Sequence, residues 1–143
     1  VIGMTFQAAK GSFFDREKVK RSVDAGTRKV LSKFGAFVRQ RAKTSIRQRK
    51  GTSLPGQPPH SHTGLLRKFI LFAYDPQRKS VVIGPTLIRT DSQAPRLLEH
   101  GGEVGRRTKT KMRWLHYRPR PFMQPALEAE KPKLPILWRD SVR

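Results

Sequence analysis

The chain contains no cysteine, which excludes a disulfide framework and any zinc site built on thiolates. Carboxylates are scarce too: Asp and Glu together number 10, scattered from Asp15 to Asp140. No two of them form the paired motif on which acid–base catalysis or a metal-dependent nuclease relies. Long apolar runs are missing, none approaching the roughly 18 residues of a membrane span, and no signal-peptide pattern is visible. Neither a Walker A sequence nor a dinucleotide fingerprint occurs. Gly101, Gly102 and Gly105 in "GGEVG" follow a helix-like run instead of opening one, which argues against a phosphate cradle. His60 and His62 stand two apart in a Pro-rich loop, with His100 and His116 elsewhere, and a metal would need further ligands. Ser61 between the two histidines has no nucleophile elbow and no acidic orienter. The expectation is a protein that is not an enzyme and has neither cofactor nor metal.

Positive charge is what the chain has in excess. Lys and Arg number 31, giving a net charge of +21. Such a chain repels copies of itself and attracts polyanions, so the functional reading is proximity to nucleic acid. The competing reading is a solvated basic surface, or one matched to acidic neighbours. Mean hydropathy is -0.62, yet 143 residues suffice for one domain with a real core. The default compartment is the cytosol.

Thr5 to Ala9 reads as a short strand, and Ser12 to Asp15 ("SFFD") resembles a capping box. Apolar residues then recur at Val19, Val23, Gly26, Val30, Phe34, Phe37 with Val38, Ala42 and Ile46, which is helical spacing. The prediction is one amphipathic helix of about 30 residues, from near Asp15 to near Arg49 and ended by Gly51, roughly 50 Å long. A kink near Gly35, or packing on another subunit, would accommodate that length. Residues 51–64, "GTSLPGQPPHSHTG", read as a long loop. Leu65 to Tyr74 and Ser80 to Gly84, joined by the turn "DPQRK", read as an antiparallel hairpin. Gln93 to Gly102 reads as a short helix stopped by Gly101, followed by a basic loop and a third strand from Met112 to Tyr117. Gln124 to Lys131 is a short helix, and the tail supplies another turn or two. The order predicts an α+β fold, with a long N-terminal amphipathic helix packed on a small antiparallel sheet and short C-terminal helices, in a single domain over 1–143.

Three stretches line up with a known family. "TGLLRKFI" (Thr63 to Ile70) looks like its TG-x-L-R-x-S-I element. "LLEHGG" (Leu97 to Gly102) looks like its E-[FYH]-G-[TG] element, and "RPRPFMQPALE" (Arg118 to Glu128) like its R-P-F-[LM]-x-P-A-[LI] element. Their order, the preceding basic helix and the length match as well. Over roughly residues 15–130 the chain resembles the tail-completion (head–tail joining, or neck) proteins of long-tailed bacteriophages. It departs from them at Lys68 and Phe69, where a small polar residue is common, and in the basic insert Arg106 to Lys111.

The resemblance implies a structural virion protein without cofactor, assembled in the host cytoplasm. It would form a homo-oligomeric ring, of six copies in preference to twelve, joining the portal or head-completion connector to tail-terminator or tail-tube proteins. The genome would pass through it with diffuse contact to double-stranded DNA. Candidates for the DNA-facing surface are Arg39, Arg41, Lys43, Arg47 and Arg49 on the helix, and Arg106, Arg107, Lys109 and Lys111 on the loop. Candidates for subunit contact are Leu54, Pro58 and Pro59 in the Pro-rich loop, expected to be an arm reaching a neighbour. Further ones are Arg118, Pro119, Arg120, Pro121, Phe122 and Met123 in a C-terminal strap over 118–143, with Phe122 and Met123 anchoring in an apolar groove. The alternatives are a tail-terminator ring protein and a stand-alone basic nucleic-acid-binding protein.

Overall fold

The computed structural model describes residues 15–86 and 93–141. Its first element, α1, runs unbroken from Arg16 to Ser45. Asp15 is the N-cap and its carboxylate accepts the Lys18 N–H at 3.0 Å. Asp15 is thus the cap itself and not the carboxylate three residues after one; Ser12 and the strand expected over Thr5–Ala9 lie outside the described residues. The helix stops four residues short of Arg49. Ile46 turns to extended backbone and Arg47 pairs with His60 in a parallel bridge, which ends the helical ladder.

The buried stripe of α1 is Val30, Phe34, Val38 and Ala42, at successive steps of four, and Ile46 continues it just past the helix end. Phe34 to Ile46 form the core together with Ile70, Phe122 and Ala126. Val19 and Val23 continue the stripe but are exposed, so the first turns of α1 overhang the body of the described residues. Gly35 lies within this continuous helix. A Cβ there would lie 2.8 Å from Val81 Cγ2 and 2.9 Å from Phe72 Cδ2, so the glycine lets a hairpin settle on the helix.

That hairpin is β1 (Ile70–Asp75) with β2 (Ser80–Pro85), in register from Ile70 opposite Pro85 to Asp75 opposite Ser80. Asp75 closes its turn by accepting the Gln77 N–H at 2.9 Å and the Arg78 N–H at 3.2 Å. Lys79 follows with positive φ and its ammonium reaches Asp24 of α1 at 2.6 Å. The segment expected as strand from Leu65 begins as a helical turn, α2 (Leu65–Lys68), and only Ile70 onward is extended.

The short helix α3 (Ala94–His100) ends at Gly101, as its sequence suggested. The residues after it correct the sequence reading. Gly102–Arg107 is a strand, β3, paired antiparallel with β4 (Met112–Tyr117), where a basic loop was expected. The α+β architecture therefore holds two separate two-stranded sheets. β3 was masked because its cations hide the period-two pattern, of which Val104 is the sole large apolar member. Helix α4 (Met123–Glu130) and α5 (Leu134–Arg139), joined by a 3-10 turn (Lys131–Lys133), pack on α1.

Glu99 ties these parts together. Its Oε2 accepts the N–H groups of Phe122 at 2.9 Å and Met123 at 3.0 Å, and its Oε1 that of Gln124 at 2.8 Å. A helix leaves its first four N–H groups without internal partners. In α4 three of them go to Glu99, and the fourth position is Pro125, which has none. Truncating Glu99→Ala orphans three donors at once. The expected loss is about 3 kcal/mol of stability, read as a lower urea midpoint, and an unchanged midpoint would remove Glu99 from this role.

Candidate functional site

The Pro-rich loop is not an arm. Ser61 N–H donates to Arg47 O at 2.9 Å, Gly56 N–H to Pro119 O at 2.9 Å and Gln48 Nε2 to His62 O at 3.3 Å. Pro59 is buried and Pro58 half-buried, while Leu54 is exposed. The strap folds back in the same way. Arg120 N–H donates to Leu98 O at 2.6 Å and its Nε to Ser53 O at 2.9 Å, so strap and loop hold one another. Phe122 is 1 % exposed, a member of the chain's own core, which corrects its expected role as an anchor on a neighbour. The proline-rich stretch joins β4 to α4, and its prolines make it stiff while leaving few N–H groups to satisfy. Of the contact candidates, Leu54, Arg118 and Pro119 face solvent, and Pro121 and Met123 are half-buried.

The expected DNA-facing cations fall into two groups. Arg39 is half-buried and donates to Ile70 O at 2.8 Å, fixing the start of β1 on α1. Arg41 is bonded to Glu130, a carboxylate only 3 % exposed. Oε2 of Glu130 makes no well-directed hydrogen bond, yet Lys133 Nζ lies 2.6 Å from it, so that contact is Coulombic. These two arginines act inside the fold, joining α1 to β1 and to the C-terminal helices. Lys43 is half-buried, whereas Arg47, Arg49, Arg106, Arg107, Lys109 and Lys111 are exposed.

The last four of these belong to the β3–β4 ribbon. Among the described residues its extensive contacts are internal. Cross-strand pairing puts Arg106 opposite Arg113, and like charges in that position destabilise a sheet. On the other face Met112 and Trp114 stand over Gly105, 60 % and 67 % exposed, beside Arg107. Thr108 closes the tip, its N–H donating to Lys111 O at 2.9 Å. One carboxylate answers this charge within the ribbon, Glu103, at 3.4 Å from His116 Nδ1.

Among the described residues no group of three or more His, Asp or Glu could hold a metal ion, and no helix is long and apolar enough to cross a membrane. No family model, curated protein or solved structure matches the chain. The functional surface therefore rests on the chain's own geometry. Sequence reasoning missed two residues of that geometry. Glu99 was noticed only as part of a motif, although the missing side-chain cap of α4 called for an outside acceptor. Ser53 carries no signal in the sequence at all.

The Lys133 ammonium, then the Arg41 guanidinium, hold the Glu130 carboxyl below the usual carboxylate range, against the opposing effect of burial. A folded pKa below the unfolded one gives stability that is complete above the unfolded value and is lost as pH falls through the folded value. Wild-type protein should therefore lose stability over an acid window that opens at the ordinary glutamate pKa and extends below it. Glu130→Gln should be less stable at neutral pH and lose less on acidification, measured as urea midpoints across that range.

Proposed function

We propose that this chain is a structural component of a phage neck, a ring that joins the DNA-filled head to the tail and lets the genome pass. The observation that carries this reading is the β3–β4 ribbon. It joins uncovered Met112 and Trp114 to opposed arginines, a surface that is costly alone and favourable against a partner that is both apolar and anionic in parts. Further support comes from the resemblance. Two of its three elements meet at the Glu99 contact with α4, and the third runs into β1 beside them.

The net charge of +21 favours a second reading, a stand-alone nucleic-acid binder. The two differ in their response to salt. Ring formation brings like-charged copies together, so rings should become more populated as salt screens them, or when a polyanion is supplied. A stand-alone binder stays monomeric or dimeric at every salt concentration and shows a steep fall of duplex affinity with salt.

Negative-stain images of the purified chain over a salt series, alone and with portal-side partners, test this directly. Rings of six are expected; an isolated monomer in the functional particle would sink the proposal. Changing Arg106, Arg107, Lys109 and Lys111 together to Ser separates the ribbon's partners. Joined particles that retain or eject DNA abnormally mean a DNA-facing ribbon, and accumulated unjoined heads and tails mean a protein-facing one. Normal joining with normal retention and ejection removes the ribbon from the mechanism.

A further inference from the structure

We propose that the β3–β4 ribbon enters the major groove of a DNA duplex tip first. Side chains alternate between the two faces of a ribbon. Arg106 and Arg113 share one face with Val104 and Tyr117, which line a cavity with Leu97 of α3. Arg107 is on the other face, opposite Met112 and next to the pair of Gly105 and Trp114. The root of the ribbon is close to α3, since a Cβ on Gly102 would lie 3.2 Å from Leu97 Cδ2. The cations therefore belong to its outer half, on both faces. No ion pair among the described residues includes Arg106, Arg107 or Arg113.

Cations on both faces decide the partner. An acidic protein surface meets one face of a ribbon and leaves the cations of the other in solvent. A second copy brings like charge against like charge. A DNA groove is walled by phosphates on both sides, so a ribbon standing in it has an anionic wall for each face. The major groove, about 12 Å wide, admits two strands, whereas the minor groove at about 6 Å does not. Three residues of strand measure about 10 Å, close to the major groove's depth of about 8.5 Å. The three arginines then come level with the phosphates while the tip reaches the base edges. The tip is closed on itself, with Thr108 Oγ1 donating to Lys111 O at 2.6 Å, which leaves Lys109, Thr110 and Lys111 for the floor of the groove. Trp114 adds little thickness. Its Cζ3 and Cη2 would lie 3.4 and 3.5 Å from a Cβ on Gly105, so the indole rests on the glycine opposite it and keeps its outer side for the sugars of the groove rim.

The groove contact stands on the ribbon's own geometry. That the duplex is a genome in passage rests on the proposed neck role.

The full-length chain is titrated with a short DNA duplex by fluorescence anisotropy over a salt series. The triple variant Arg106→Ser, Arg107→Ser, Arg113→Ser should lose about three units of salt slope, at about 0.9 for each phosphate contact. A control of equal charge, Lys18→Ser, Lys20→Ser, Arg28→Ser on the exposed start of α1, should keep most of its slope. Wild-type chain should bind about tenfold more weakly to a duplex whose cytosines carry glucosylated hydroxymethyl groups, which fill the major groove. Netropsin, which fills the minor groove, should not displace it. In a Trp138→Phe chain Trp114 is the one remaining tryptophan. Its emission should change with DNA duplex and stay constant with duplex RNA, whose major groove is too narrow to enter.

Equal slope loss in the two triple variants overturns the groove contact, because a diffuse field does not distinguish where a charge sits. Equal binding of plain and glucosylated duplex overturns it too, and that comparison uses the wild-type chain, so no variant's folding enters it. A Trp114 response to polyglutamate without one to duplex overturns it and assigns the ribbon to an acidic protein. Rings are read separately by imaging. Their absence counts against the neck and leaves the groove contact standing, whereas rings with an unaltered slope count against the groove contact alone.

Discussion

The carboxylate of Glu99 accepts three successive N–H groups at the start of α4, and the course of the C-terminal third of the chain depends on that contact. It fixes Phe122 at the point where the ring enters the core against α1. Close by, Gly101 has φ of 73°, and a Cβ there would lie 2.9 Å from Tyr117 O and 3.0 Å from Pro119 Cδ. The Glu-His-Gly sequence thus works as a unit, with the glutamate holding α4 and the glycine letting the end of β4 pass close by. In a chain so poor in carboxylates, four other acids sit at comparable joints. Asp15 caps α1, Asp24 holds the hairpin turn through Lys79, Asp75 closes that turn, and Glu130 links α1 to the C-terminal helices.

Much of this architecture was legible in the sequence. The four-residue steps from Val30 to Ile46 are the core face of α1 and its end, and the hairpin of β1 and β2 follows from two apolar runs around an Asp-Pro turn. The limits were physical. Val19 and Val23 keep the helical period but lie beyond the body, because periodicity reports a helix and not what covers it. β3 escaped because a solvent-facing strand rich in Arg lacks an apolar alternation. For the candidate site, charge told which residues could meet an anion but not which were already engaged. Arg39 and Arg41 look like Arg47 and Arg49 in sequence, and only the fold turns the first pair toward Ile70 O and Glu130. The loop and strap were misjudged for a related reason. Proline marks stiffness, and stiffness does not say whether a segment reaches outward or braces the chain to itself.

The basic surface is therefore less uniform than the composition suggests. Part of it is internal structure, part forms the ribbon with its paired arginines, and part gathers past the end of α1 at Arg47 and Arg49. A repulsive pair such as Arg106 and Arg113 weakens the ribbon in isolation, so an anion that docks there would stabilise the strand pairing as well as bind.

The contacts between loop and strap also have a consequence for the order in which the chain folds. Ser53 O is held by Arg120 and Gly56 N–H by Pro119 O, groups more than sixty positions later in the sequence. Helix α1 and the β1–β2 hairpin can form from what has already left the ribosome, but the loop over residues 52–60 acquires these bonds only after the strap has emerged. A nascent chain therefore carries its basic helix into the cell before the loop beside that helix is held in place.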